Sequence, residues 1–161
     1  WLVDPKTHGY QLHASPNQPK SRGQITLNSS DPYEYPKILF NYLKDEEDLK
    51  QTRECIHVAR KILSQPALSE HAGKEVGPGS GAQSDEELNE YIRSKADTAY
   101  HPCGTCKMGV DDMAVVDENL RVKGIKNLRV IDASVIPEIP SANLNAPVLM
   151  IAEKGSELIL S

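Results

Sequence analysis

The side chains best suited to chemistry lie in one stretch, Tyr100-His101-Pro102-Cys103-Gly104-Thr105-Cys106-Lys107-Met108-Gly109. Imidazole is the side chain that exchanges protons near neutral pH. A residue before proline is kept out of the helical region, so His101 is expected on extended or turn backbone with its ring projecting. His8, His13, His57 and His71 have no such setting and read as ordinary histidines. Cys103 and Cys106 form a Cys-x-x-Cys pair. A thioredoxin-like couple needs a strand before it and a helix beginning at the first cysteine, but here the preceding residues read as helix and His-Pro intervenes. Half of a zinc site needs a second pair at zinc spacing, and none follows. The pair therefore reads as small residues packing a tight turn, and no metal site is expected. A second polar cluster, Ser141-Ala142-Asn143-Leu144-Asn145-Ala146-Pro147, stands just before an apolar run.

The elements that must position these residues follow from pattern. The best helix is predicted over residues 44–64. Asp45, Glu46, Glu47 and Asp48 suit the positive end of its dipole. Leu49, Thr52, Ile56, Ala59 and Leu63 recur on one face, and Pro66 stops it. Cys55 within it reads as a buried structural thiol. Residues 67–72 suggest one helical turn, and residues 76–82 a Gly/Pro/Ser loop. Ser84 and Glu87 form a capping box opening a helix to about Lys95, with Leu88, Tyr91 and Ile92 on one side; this helix delivers the chain to His101.

Strands are predicted over 10–14 and 23–28 as an antiparallel pair, over 114–116 and 120–122 as short segments, and over 128–134 as a buried strand. Asp132 ends that last strand, where α/β folds place ligand contacts. Asn145 is expected to cap the final helix with Pro147 in its first turn. Residues 148–152 are apolar on all sides and so are expected to be buried. Tyr33, Tyr35, Phe40 and Tyr42 read as aromatics packing on a core, with a substrate pocket as the sharper alternative.

Bulk properties bound the rest. The chain has 161 residues, 39% of them hydrophobic and 25% charged, with net charge −5. This suits a globular domain and argues against a nucleic-acid partner. No apolar run approaches the ~20 residues of a membrane span. Three cysteines show no disulfide framework. The opening Trp1-Leu2-Val3-Asp4 has no signal-peptide pattern and no initiator Met, so the chain is expected to be a fragment.

The residues around His101 also carry a resemblance. His-Pro-Cys-Gly-Thr-Cys-Lys-Met-Gly (101–109), Val-Val-Asp (115–117), Leu-Arg-Val-Lys-Gly-Ile (120–125), Leu-Arg-Val-Ile-Asp-Ala-Ser-Val-Ile-Pro (128–137), Asn-Leu-Asn-Ala-Pro (143–147) and Met-Ile-Ala-Glu-Lys (150–154) resemble the C-terminal signature of the glucose-methanol-choline flavoprotein oxidoreductases. Upstream, Gly9-Tyr10-Gln11, Ser21-Arg22-Gly23, Asp31-Pro32, Phe40-Asn41-Tyr42, Gln65-Pro66-Ala67-Leu68 and Ser84-Asp85 resemble the branch of that family that oxidises choline.

The resemblance implies a mixed α+β and α/β fold, the C-terminal fragment of a two-domain FAD enzyme. Residues 1–98 would end an antiparallel-sheet substrate domain with helices. Residues 99–161 would supply the catalytic His loop and the closing strand and helix of a Rossmann-like FAD domain, whose Gly-rich fingerprint is absent here. It implies catalytic roles for His101 and Asn143, and FAD contacts from Tyr100, His101, Asp132, Ala133, Asn145, Ala146 and Pro147. Its implied partners are an alcohol substrate, choline first, the N-terminal remainder of the enzyme, and an electron acceptor such as a quinone or the respiratory chain. Its implied place is intracellular, at a mitochondrial inner or bacterial membrane. Another primary alcohol or a sugar is the alternative substrate. A non-catalytic module and a thiol redox protein are the rival classes; the former predicts loss of His101 or Asn143, and both are present.

Overall fold

The computed structural model describes residues 8–160; residues 1–7 and 161, which the expected domain bounds take in, lie outside the described residues. The elements in chain order are β1 (Gln24–Thr26), β2 (Lys37–Leu39), α1 (Glu46–Leu63), α2 (Asp85–Lys95) and α3 (Asn145–Leu160), with 3₁₀ turns at Pro66–His71 and Ala133–Val135. The chain divides into two compact units. Among the described residues, the first holds 8–16, 20–22 and 41–97; the second holds 17–19, 23–40 and 98–160.

The first unit is built on α1 and α2. Asp45 caps α1 by accepting the Glu47 N–H at 2.9 Å. Asp48, one turn in, is 2% exposed and accepts the Lys20 and Ser21 N–H groups at 2.7 Å each. Burial pushes its carboxyl up, but the Ser21 hydroxyl, these two N–H groups and the Arg22 charge outweigh that and leave it below its ordinary value. Of the expected α1 face, Leu49 is buried and Thr52, Ile56, Ala59 and Leu63 are half-buried. Cys55 is half-buried rather than buried; desolvation, then Glu54, push its thiol up. The capping box opens α2 as expected: Glu87 donates its N–H to the Ser84 hydroxyl, and its Oε2 accepts the Ser84 N–H. Leu88 and Ile92 bury that helix, and Arg53 of α1 bridges to Asp85 (3.1 Å) and Asn89 (2.7 Å). Arg60 holds the Gly/Pro loop, donating to Glu75, Gly79 O and Ala82 O at 3.0, 3.1 and 2.9 Å.

In the second unit, β1 pairs antiparallel with β2, Ile25 opposite Ile38. The expected partner, residues 10–14, forms no strand. β1 is paired by β2, the next segment along the chain in the same unit, while residues 10–14 belong to the first unit. Asp31 instead turns the chain between the strands, accepting the Tyr33 N–H at 2.9 Å on its side chain. The packing expected of the aromatics does not occur: Tyr33, Tyr35 and Phe40 are 92%, 90% and 53% exposed here, and Tyr42 of the first unit is also exposed. A two-stranded ribbon has no layer of its own to bury them.

The core of this unit is Val116, Leu120, Val135, Ile136, Leu144 and Ile151. The expected strands over 114–122 form isolated bridges, Met108 with Val116 and Val116 with Val122. The expected buried strand over 128–134 is a short extended run: Val122 donates to Leu128 O, Val130 to Leu120 O. It ends where Asp132 takes the Ser134 N–H at 2.7 Å and starts a 3₁₀ turn.

Asn145 is the first helical residue of α3 and not its cap; the Leu144 carbonyl accepts the first helical bond, from Val148. Val148, Ile151, Gly155 and Leu158 form the helix's inward stripe. Leu149 and Met150, expected to be buried, are 63% and 62% exposed, because a helix buries against one neighbour only the stripe that faces it.

Candidate active site

α2 ends at Lys95, and the chain reaches His101 through an abrupt turn. Thr98 Oγ1 accepts the Tyr100 N–H at 2.9 Å. Tyr100 then sits at φ 60°, left-handed and costly for an aromatic residue. His101 follows, half-buried, with Pro102 fixing the next φ.

Downstream the loop is tied down. Gly104 has φ 89°, and a Cβ there would point at the Ile136 carbonyl oxygen at 3.4 Å. Lys107 closes a turn onto Gly104 O. Cys106 donates to Ser134 O at 2.9 Å and Met108 to Val135 O at 2.8 Å. Cys103 packs on the core cluster, and neither Cys103 nor Cys106 is in a disulfide. The exposed Asp111 carboxyl is held below its ordinary value by the Lys107 ammonium, 2.9 Å away.

The other expected site residues lie on segments that share this core. The Cys106 and Met108 bonds tie the His101 loop to the 132–136 segment, where Asp132 is exposed and Ala133 half-buried. Asn143 is exposed, directly before Leu144, which is 5% exposed and in one apolar cluster with Ile136 and with Cys103 packed against it. Asn145 and Ala146 are exposed at the start of α3. The first amides of a helix have no acceptor within it. Pro147 has no N–H to offer, which leaves the Asn145 and Ala146 N–H groups there. Thus the His101, Asp132–Ala133 and Asn143–Ala146 segments converge on one core, which spacing along the chain does not reveal. Sequence reading missed Thr98 and Ile136; the Thr-x-Tyr step was the available signal for the former. Among the described residues, no group of three or more His, Cys, Asp or Glu side chains is placed to hold a metal ion.

The chain is similar to known proteins in sequence and in fold. The family model described as GMC oxidoreductase matches residues 19–152. An oxygen-dependent choline dehydrogenase of Vibrio vulnificus (strain YJ016) is 50% identical over 155 residues, 95% of this chain and 28% of that protein. Pyridoxine 4-oxidase from Mesorbium loti aligns with a TM-score of 0.83 at 35% identity, covering 88% of this chain and 28% of that one. An FAD-dependent oxidoreductase from Chaetomium thermophilum gives 0.83 at 28% identity, covering 88% and 25%. The chain therefore spans just over a quarter of the length of the curated relatives it matches. With the family match running from residue 19 to residue 152 and the fold shared with solved flavoenzymes, this chain belongs to the GMC oxidoreductase family and carries one part of that fold.

Proposed function

We propose that this chain is the catalytic-end part of an FAD-dependent enzyme that oxidises the primary alcohol of choline to betaine aldehyde. The observation that carries the reading is 50% identity with a choline dehydrogenase across 95% of the chain, with His101 and Asn143 both present. In this reading residues 1–98 complete a substrate-binding domain and residues 99–161 complete the FAD-binding domain. The remainder of the enzyme covers the exposed Leu149 and Met150.

The residues present fit one edge of a flavin. The Asn145 and Ala146 N–H groups and the dipole of a 16-residue helix offer positive potential with no side-chain charge. Asp132 and Ala133 lie on a segment bonded to the His101 loop and are assigned to the ribityl-phosphate side, with Tyr100 and Pro147 lining the cofactor. When bound, the flavin supplies the acceptor for the carbon-bound hydride. His101 takes the hydroxyl proton on a ring nitrogen, and the Asn143 side-chain amide donates a hydrogen bond to the same oxygen. Both act where negative charge develops on that oxygen, which lowers the barrier to its formation.

The test uses the full-length enzyme. Its flavin spectrum is recorded, then choline is added without oxygen. Bleaching within the turnover time supports the reading. Flavin that choline leaves oxidised would discard the substrate and favour another primary alcohol, as the likeness to pyridoxine 4-oxidase does. A full-length protein without flavin would sink the cofactor assignment. Following reoxidation with oxygen and with a quinone identifies the electron acceptor. Among the described residues no helix is long and apolar enough to cross a membrane. The proposed association of the whole enzyme with a bacterial or mitochondrial inner membrane is tested by fractionation.

A further inference from the structure

We infer that Thr98 is a positioning residue for the proposed base, holding Tyr100 left-handed so that His101 presents its ring in one fixed direction; this rests on the assignment of His101 above. A non-glycine residue at φ 60° persists only where its surroundings over-determine it. Tyr100 receives no such help from its own side chain, which is 77% exposed. The restraints lie on either side. Upstream, the Thr98 hydroxyl accepts the Tyr100 N–H at 2.9 Å. Downstream, Pro102 fixes its own φ and keeps His101 extended, and the Cys106 and Met108 N–H groups anchor the loop to Ser134 O and Val135 O. His101 is thus the residue between two clamps.

Of the two clamps, the downstream one is built from several backbone bonds and the core packing of Cys103. The upstream one includes a single side-chain oxygen. Without it, Tyr100 can relax to an ordinary negative φ. Because Tyr100 immediately precedes His101, that relaxation swings the imidazole while leaving the core untouched. A displacement of about 1 Å at a reacting group costs up to roughly 10²-fold in rate. A hydroxyl is required, not bulk, so serine should replace threonine and alanine should not.

The experiment compares wild type, Thr98→Ala, Thr98→Ser and His101→Ala in the full-length flavin-loaded enzyme, by steady-state and anaerobic flavin-reduction kinetics. Flavin content and thermal midpoint are read alongside. The expected result is a fall of roughly tenfold or more in kcat and in the reduction rate, both per bound flavin, for Thr98→Ala, at unchanged KM, with Thr98→Ser near wild type. Wild-type rates per bound flavin in Thr98→Ala, equal impairment of the Ser and Ala variants, or a fall in rate accompanied by a raised KM would each overturn the inference. His101→Ala separates the two claims. If it turns over normally, the assignment of the base is wrong. If it is impaired while Thr98→Ala is normal, only the positioning role is wrong.

Discussion

Gly155 of α3 packs directly on Ile131: a Cβ placed on Gly155 would lie 2.4 Å from Ile131 Cγ2 and 2.9 Å from its Cδ1. The helix approaches the 128–131 segment closely because that position carries no side chain. Gly155→Ala has two opposed effects. It favours the helix by up to ~1 kcal/mol, and it overpacks against a β-branched neighbour at a cost of about 1–3 kcal/mol. The second dominates, so the thermal midpoint of the full-length enzyme should fall. A midpoint at or above wild type would show that Ile131 moves aside freely.

Asp48 is the buried charge on which residues 20–21 hang. Asp48→Ala removes the acceptor of two backbone N–H groups at 2.7 Å, and should cost about 2–4 kcal/mol at pH 7, since each stranded donor costs roughly 1–3. The folded carboxyl titrates below its ordinary value of 3.8. Its contribution is therefore fully present above that unfolded value and is lost as pH falls through the lower folded one. Denaturant titrations of wild type and variant should differ most at neutral pH and converge in strong acid. A gap independent of pH would contradict the charge's role.

Arg60 ties the 74–82 loop to α1 through three acceptors in different directions. Lysine has the charge but not the planar fork. Arg60→Lys should therefore release the loop and speed limited proteolysis within 74–82 several-fold, with cleavage elsewhere unchanged. An identical digestion pattern would mean that other contacts hold the loop.

The flavin and thiol readings make opposite predictions for neighbouring residues. His101→Ala should slow flavin reduction by roughly 10²-fold or more, whereas Cys106→Ser should leave the rate within a few-fold of wild type, since Cys106 engages its neighbours through its backbone N–H. Stopped-flow reduction of both variants decides it. A silent His101→Ala with a dead Cys106→Ser would favour thiol chemistry.

The chain's own residues determined whatever is settled within a few positions. The Ser84–Glu87 box, the acidic first turn of α1 and its stop at Pro66 follow from hydrogen bonds and dihedral limits between near neighbours. The His101-Pro102 step in its turn-rich setting was legible for the same reason, and the family signature with it. The tertiary structure decided what depends on residues arriving from afar. Asp48 looked like one more acidic residue of a helix N-terminus; its donors come from 27 and 28 positions away. The apolar run 148–152 predicted burial all round, but a helix buries only what another segment meets, and within this chain Ile151 is met while Leu149 and Met150 are not. Residues 10–14 alternate weakly, like a strand, yet it is Lys37–Leu39 that pairs with β1. Local pattern sets which backbone bonds a segment can make, and the fold decides which of the competing partners arrives.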